Sequence, residues 1–239
     1  MTFGKKGLIP LTEPFTENPS FQHVIGCGGE TIDPSVLMVS GDNAIVDWVF
    51  IELRSPDDAH EVVSTRSALV QRDGDVVDTD GSSPVFFPNV PSGDYFVAVR
   101  HRNHLGMASN HPIHLTPTVA VTDFEDDNFE AYGTNPAINY GGQRALWSGD
   151  LNADRKVIYQ GPSNDIASMF FFILSSPDNT LQLMNYIATD YTTTDFNLDG
   201  VIIYQGPNND RSKLLFYTIL ASPDNINLLA NFVINEKLP

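Results

Sequence analysis

The chain has 239 residues, with 30 Asp and Glu against 13 Lys and Arg, a formal charge of −17, a pI near 4.4 and a single Cys. That balance excludes a nucleic-acid partner, because neutralising phosphates needs a basic face, and one Cys excludes an internal disulfide framework or a Cys-based zinc site. With 41% hydrophobic and 10% aromatic residues the chain can fill a core, and it lacks an apolar run long enough for membrane insertion.

Residues 1–43 are rich in Pro, Thr, Gly and Asn and show no sustained period. They read as an extended N-terminal arm with short strands at 21–25 and 36–39. The basic start is not followed by the ~7–15 apolar residues of a signal-peptide core. The address is therefore open between a cytoplasmic chain and one whose leader is not in the sequence. From residue 44 the texture changes. Residues 44–53 are β-branched and aromatic and end at Arg54-Ser55-Pro56-Asp57-Asp58, as a strand closed by a turn does. Further strands are expected at 62–71, 84–87, 94–101 and 113–115. Tyr95, Val97 and Val99 share one face at a period of two. Short strands punctuated by Gly, Pro, Asp and Ser predict a β-sandwich, Ig-like or prealbumin-like, over 44–122. Residues 123–145, opening with the acidic 123–127, read as a linker.

The stretch 146–239 contains a repeat. Asp150-Leu-Asn-Ala-Asp154 through Asp165 aligns with Asp195-Phe-Asn-Leu-Asp199 through Asp210, and residues 173–179 align with 219–225. The offset of about 45 residues marks a duplicated supersecondary unit. Each unit is predicted as acidic loop, helix, Ser-Pro-Asp turn and second helix. Ser176-Pro177 and Ser222-Pro223 stand as N-cap and first-turn Pro of the second helices.

Asp-x-Asn-x-Asp opens an EF-hand-type loop, whose alternate side chains converge on a Ca²⁺ that takes six to eight oxygens. The predicted ligands are Asp150, Asn152, Asp154 and the Lys156 carbonyl in the first loop, and Asp195, Asn197, Asp199 and the Val201 carbonyl in the second. Gly200 fills the sixth position, where the turn favours positive φ. Arg155 stands there in the first loop, at a cost of roughly 1 kcal/mol, which predicts a weaker first site. At position twelve the bidentate Glu is replaced by Gly161 and Gly206. The closing acids are then Asp165 for the first loop and Asp210 for the second, each across a bulged segment, or these two are only helix N-caps. A third cluster, Asp73, Asp75, Asp78 and Asp80, reads either as a cation site or as a hydrated pair of turns. His101, His104, His111 and His114 read more simply as hydrogen-bonded turn residues than as a zinc set. Nucleophile elbows, phosphate loops and dinucleotide fingerprints are absent, so the reading is non-catalytic.

The duplicated loop resembles that of dockerin modules, which carry two calcium loops in pseudo-twofold symmetry. The fuller resemblance is to the calcium-binding, dockerin-like C-terminal module of large secreted adhesin-like proteins of Bacteroidetes. It is carried by Trp48-Val-x-x-Glu-Leu-Arg54, by Ser67-Ala-Leu-x-Gln-Arg-Asp-Gly-Asp-Val-Val-Asp-x-Asp-Gly81, by Tyr95-x-Val-Ala-Val-Arg-His-Arg-Asn-His-Leu-Gly106 and by the opening segment Pro10-Leu-Thr-Glu-Pro-Phe15. It implies secretion, calcium binding and a place at the cell surface. The expected function is an extracellular structural or adhesion module, assembling as a homo-oligomer or filament through its N-terminal arm, with a protein or glycan partner. The alternatives are a recognition module docking a cohesin-like partner and a carbohydrate-active accessory domain. Arg155 and the chain's small size depart from the family and suggest a self-sufficient subunit.

Overall fold

Ten consecutive residues, Ile45–Arg54, are all buried, and they form the central strand β1 of the computed structural model, which describes residues 7–25, 28–126 and 128–239. Cys27, Asp127 and the basic first six residues, which entered the sequence reading, lie outside the described residues. The protein is mainly β, 27% strand against 11% helix, with antiparallel sheets. It divides into two units: Met1–His101 with Gly106–Ala145 and Lys237–Pro239, and Arg102–Leu105 with Leu146–Glu236.

In the first unit β1 pairs antiparallel with β2 (Val62–Gln71) on one side and β4 (Gly93–His101) on the other. β3 (Val76–Val77) lies outside β2, β5 (His104–Ala108) outside β4, and β6 (Ile113–Leu115) pairs with the first residues of β4. This is the only sheet of more than two strands among the described residues. Successive side chains of β1 face opposite ways. Val49 and Ile51 pack with Ala68, Val97 and Val99 on one face. On the other, Phe50 meets Phe15 and Phe21, each with its ring centroid 5.3 Å away.

The described part of the stretch expected to extend as an arm therefore folds back as the layer over its own sheet. Ile9, Phe15, Phe21, Ile32 and Val36 are buried, and Trp48 Nε1 donates to the Pro10 carbonyl at 3.0 Å. A strand buried on both faces needs two covering layers, and a Pro- and Asn-rich segment supplies one without a hydrogen-bond ladder. The short strands expected at 21–25 and 36–39 do not form. Residues Pro34–Met38 make a 3₁₀ turn instead, capped by Asp33, whose carboxylate accepts from Ser35 N–H. Residues 84–87 contribute only an isolated bridge, Pro84 to Val77. The expected linker holds a hairpin, β7 (Ile138–Tyr140) and β8 (Gln143–Ala145). Its turn is Gly141-Gly142, with φ of 63° and 90°, the pair of left-handed positions that a tight two-residue hairpin requires.

In the second unit each repeat runs acidic loop, short strand, helix, turns, short strand. The first contributes β9 (Lys156–Ile158), α1 (Asp165–Ser175) and β10 (Ile187–Thr189). The second contributes β11 (Val201–Ile203), α2 (Asp210–Leu214), which runs into a wider π-type turn over Leu215–Ile219, and β12 (Val233–Asn235). The strands pair reciprocally: β10 with β11 and β12 with β9, both antiparallel. Ile187 opposes Ile203 as Val233 opposes Ile158, so the second repeat meets the first as the first meets the second.

The second helix of each repeat, predicted after Ser-Pro, is not formed. Asn179 N–H closes a turn on the Ser176 carbonyl at 2.9 Å, and Asn225 N–H does so on Ser222 at 3.0 Å. Pro in the second position suits such a turn as well as it suits a helix start. The Asn side chains then take over. Asn179 Nδ2 donates to the Ile173 and Leu183 carbonyls at 2.8 and 3.0 Å, while its Oδ1 accepts from Leu183 N–H at 2.8 Å. Asn225 repeats this with Ile219 and Leu229 at 2.9, 3.0 and 2.8 Å. Gln182 and Leu228, at φ of 51° and 52°, turn the chain onward into β10 and β12.

Candidate metal centre

The two acidic loops are built on the same unusual backbone. Ala153, Arg155 and Ser163 have φ of 58°, 67° and 55°, and Leu198, Gly200 and Asn208 have 58°, 79° and 56°. Arg155 thus takes the left-handed conformation that Gly200 takes freely, and Ala153 and Leu198 take it as well. Non-Gly residues held there store strain, which gathers at ligand clamps and active sites. The sequence anticipated only the sixth position.

Within each loop the side chains grip the backbone. Asp150 accepts from Asp154 and Arg155 N–H, both at 3.0 Å, and Asp195 Oδ2 accepts from Gly200 N–H at 2.7 Å. Asp154 and Asp199 accept from Lys156 and Val201 N–H at 3.0 and 2.8 Å, at the start of β9 and β11. The helices are capped by Asn164 and Asn209, which accept from Ala167 and Ser212 N–H. Asp165 and Asp210 are therefore not the caps. Each is the first residue of its helix and turns back into its loop. Asp165 accepts from Leu151 and Ile158 N–H, both at 2.7 Å, and Asp210 accepts from Ile203 N–H at 2.8 Å.

Asp165, Asp195 and Asp210 have no exposed surface, and Asp150 has 5%. Burial pushes Asp150 up to about 7, with the neighbouring charges of Asp154 and Glu236 adding to it. It pushes Asp165 up to about 8, with Asp150 adding to it. Asp195 rises to about 7 through burial and the nearby Asp199 and Asp210, and Asp210 rises through burial against the pull of Lys213. Buried acids so placed call for a proton or a cation. Two oxygens in the second loop, Asp195 Oδ1 and Asn197 Oδ1, are buried with no hydrogen-bond partner, although such groups are normally satisfied. The donor set is all oxygen, which fits a hard cation such as Ca²⁺. As they stand, the described residues contain no cluster of three or more His, Cys, Asp or Glu side chains gathered into a metal cage.

The third acidic cluster does different work. Asp78 pairs with Arg66 at 2.6 Å and also accepts from Thr79 and Phe86 N–H. Burial works to raise its pKa, but these partners hold it below the carboxylate norm. Asp80 caps a turn through the side chain and N–H of Ser83 and the N–H of Ser82, which hold it down at about 2. Asp73 accepts from Asp75 N–H at 3.3 Å. These four residues serve two turns and an ion pair. The histidines have separate partners too: His101 with Asp47 at 3.2 Å, His104 with the Asn103 side chain at 2.8 Å, His111 with Glu130 at 2.8 Å and His114 with Asp94 at 2.7 Å.

Four residues absent from the predicted ligand set border the loops. Asn103, fully buried, donates to the Asp195 carbonyl at 2.7 Å and to the Thr193 carbonyl at 3.1 Å. Arg102 lies over the Tyr191 ring at 4.0 Å, and its charge acts on Asp195. Lys213 and Glu236 stand beside the second and first loops. Lys213 lies three residues after Asp210 on one helix, a spacing visible in the sequence; the other three are distant along the chain. No family model matches the chain, and neither a curated protein nor a solved structure does.

Proposed function

We propose that the protein is a non-catalytic, calcium-binding structural or adhesion module of the cell surface or extracellular space, in which two loops hold the duplicated half in shape. The observation that carries this reading is the pair of buried, unpartnered oxygens on Asp195 and Asn197. They lie in a loop whose backbone conformation and closing acid recur in the first repeat. Asp150, Asn152, Asp154 and Asp165, and Asp195, Asn197, Asp199 and Asp210, would hold the ions, with main-chain oxygens of Lys156 and Val201. A bound Ca²⁺ supplies the positive charge that lets the buried carboxylates stay ionised. In this reading the β unit is a relative of the Ig-like sandwich with the N-terminal segment as its second layer, and the duplicated half is dockerin-like. Burial of Phe15 and Phe21 against the same unit's sheet favours a module that folds by itself over one that lends this segment to a neighbour.

The test is thermal unfolding of the whole protein in CaCl₂, MgCl₂ or EGTA, together with calorimetric titration. A ligand that binds only the native state at a hundred times its Kd stabilises by about 2.7 kcal/mol per site. The expected result is two binding events and a melting temperature that rises in CaCl₂ and falls in EGTA. Absence of binding heat together with an unchanged melting temperature would overturn the reading.

A further inference from the structure

The two loops share their ligand types but not their surroundings. Beside the first, Glu236 adds a carboxylate: it acts electrostatically on Asp150, its N–H donates to the Arg155 carbonyl at 2.9 Å, and its side chain lies 3.7 Å from Arg155 Nε. The Arg155 side chain is 56% exposed, so water screens its charge. Beside the second loop stand two cations. Arg102 is buried and acts on Asp195. Lys213 Nζ lies 3.0 Å from Asp210 Oδ1, with its side chain only 20% exposed. The repeat places Ser168 where Lys213 stands, at the same 45-residue offset that relates Asp165 to Asp210.

We infer that Lys213 is a built-in cation of the second loop, holding the closing carboxylate of Asp210 until a divalent ion displaces it, and that the loops therefore fill in a fixed order, the first before the second. This inference rests on the calcium reading and assigns the sites unequal affinities. It reverses the order suggested by Arg155 alone. The left-handed conformation of Arg155, at φ 67°, is held by the loop's own hydrogen bonds, Arg155 N–H to Asp150 and Lys156 N–H to Asp154, and not by a ligand. A cost paid in both free and bound states lowers the stability of the fold and cancels from the binding constant. A positive charge that must be pushed aside does not cancel. A unit charge about 5 Å from a divalent ion in a water-like medium changes affinity roughly tenfold.

The experiment is calorimetric titration of CaCl₂ into the metal-stripped full chain, with thermal unfolding in EGTA. Wild type should bind in two resolvable steps, and Asp195→Ala should remove the weaker one. Lys213→Met should tighten the weaker step about tenfold while lowering the melting temperature in EGTA, because Asp210 loses its partner there. Ser168→Lys should weaken the tighter step and leave the weaker one. If wild type binds two ions but Lys213→Met changes neither step, the ordering is overturned and the calcium reading stands. If Lys213→Met leaves the metal-free melting temperature unchanged, the built-in cation is refuted without reference to calcium. If wild type binds no calcium, both readings fall.

Discussion

Replacing Asn225 by Ala tests what shapes the turns of the duplicated half. The Asn225 side chain is 3% exposed and makes three hydrogen bonds of 2.8 to 3.0 Å, tying the Ile219 carbonyl to both polar groups of Leu229. At about 1 kcal/mol net for each such bond the loss is about 3 kcal/mol, with little recovered from water because the side chain is enclosed. For a unit of 60–100 residues this corresponds to a melting temperature lower by roughly 12–24 °C. The assay is urea unfolding followed by far-ultraviolet circular dichroism, with EGTA in every sample so that metal does not contribute. Asn179→Ala should match it, since its bonds agree within 0.1 Å. Asn225→Asp keeps the acceptor but sets a charge against two carbonyls, so it should be at least as damaging as Ala despite its near-identical size. Asn185, exposed in the corresponding turns of the first repeat, serves as the control; its Ala variant should stay within about 0.5 kcal/mol of wild type. An Asn225→Ala protein that also stayed within that margin would refute the clasp as the reason the predicted second helices do not form.

Glu13 is buried, which alone would raise its pKa. The Thr16 hydroxyl and the N–H groups of Gly29, Phe15 and Thr16 nevertheless hold it below its ordinary 4.5. A depressed acid stabilises the fold above its unfolded value and loses that contribution as pH falls below it. Glu13→Gln should therefore be less stable than wild type near pH 7, and the gap in unfolding free energy should shrink as the pH drops below about 4.5. A gap that stayed constant down to pH 3 would refute this. Gly81 has φ +79°, and a Cβ there would lie 2.7 Å from Val36 Cγ1. Gly81→Ala should lose about 1–3 kcal/mol through strain and crowding, measured by urea unfolding, with Val36→Ala in the same chain recovering part of the loss.

What could be read from the sequence was what depends on period and repetition. Val62–Gln71 and Ile113–Leu115 form as strands at the expected residues, β1 is shifted by one residue at both ends, and β4 starts one residue earlier than expected. β4 was legible from its period of two, and β1 from an unbroken β-branched and aromatic run that is buried at every position. The duplication was legible because two stretches 45 residues apart repeat the same acids, glycines and asparagines. What escaped depends on where a side chain goes after the chain turns. Ser-Pro-Asp-Asn opens either a helix or a turn, and only the reach of Asn179 and Asn225 back to the preceding helical segment decides it. The same limit hid Asn164 and Asn209 as the caps, although Asn beside Asp offers two candidates one residue apart. The β7–β8 hairpin was legible in principle, because Gly141-Gly142 between short runs is a hairpin signal. The covering role of Ile9, Phe15, Phe21, Ile32 and Val36 was not, since nothing local says that Phe15 and Phe21 meet Phe50.

The reciprocal pairing of the short strands has a consequence for how the duplicated half forms. Lys156 is opposite Asn235, so the ribbon that abuts the first acidic loop joins residues 79 apart (235 − 156). The second loop's ribbon joins Thr189 to Val201, only 12 apart (201 − 189). Closing the longer span costs more chain entropy, and long-range pairings of this kind slow folding. During synthesis the second ribbon can zip as soon as residue 203 has emerged, whereas the first must wait for residue 235. Whatever lies between them is held open for that interval, so the earlier half of the repeat is the later half to be completed.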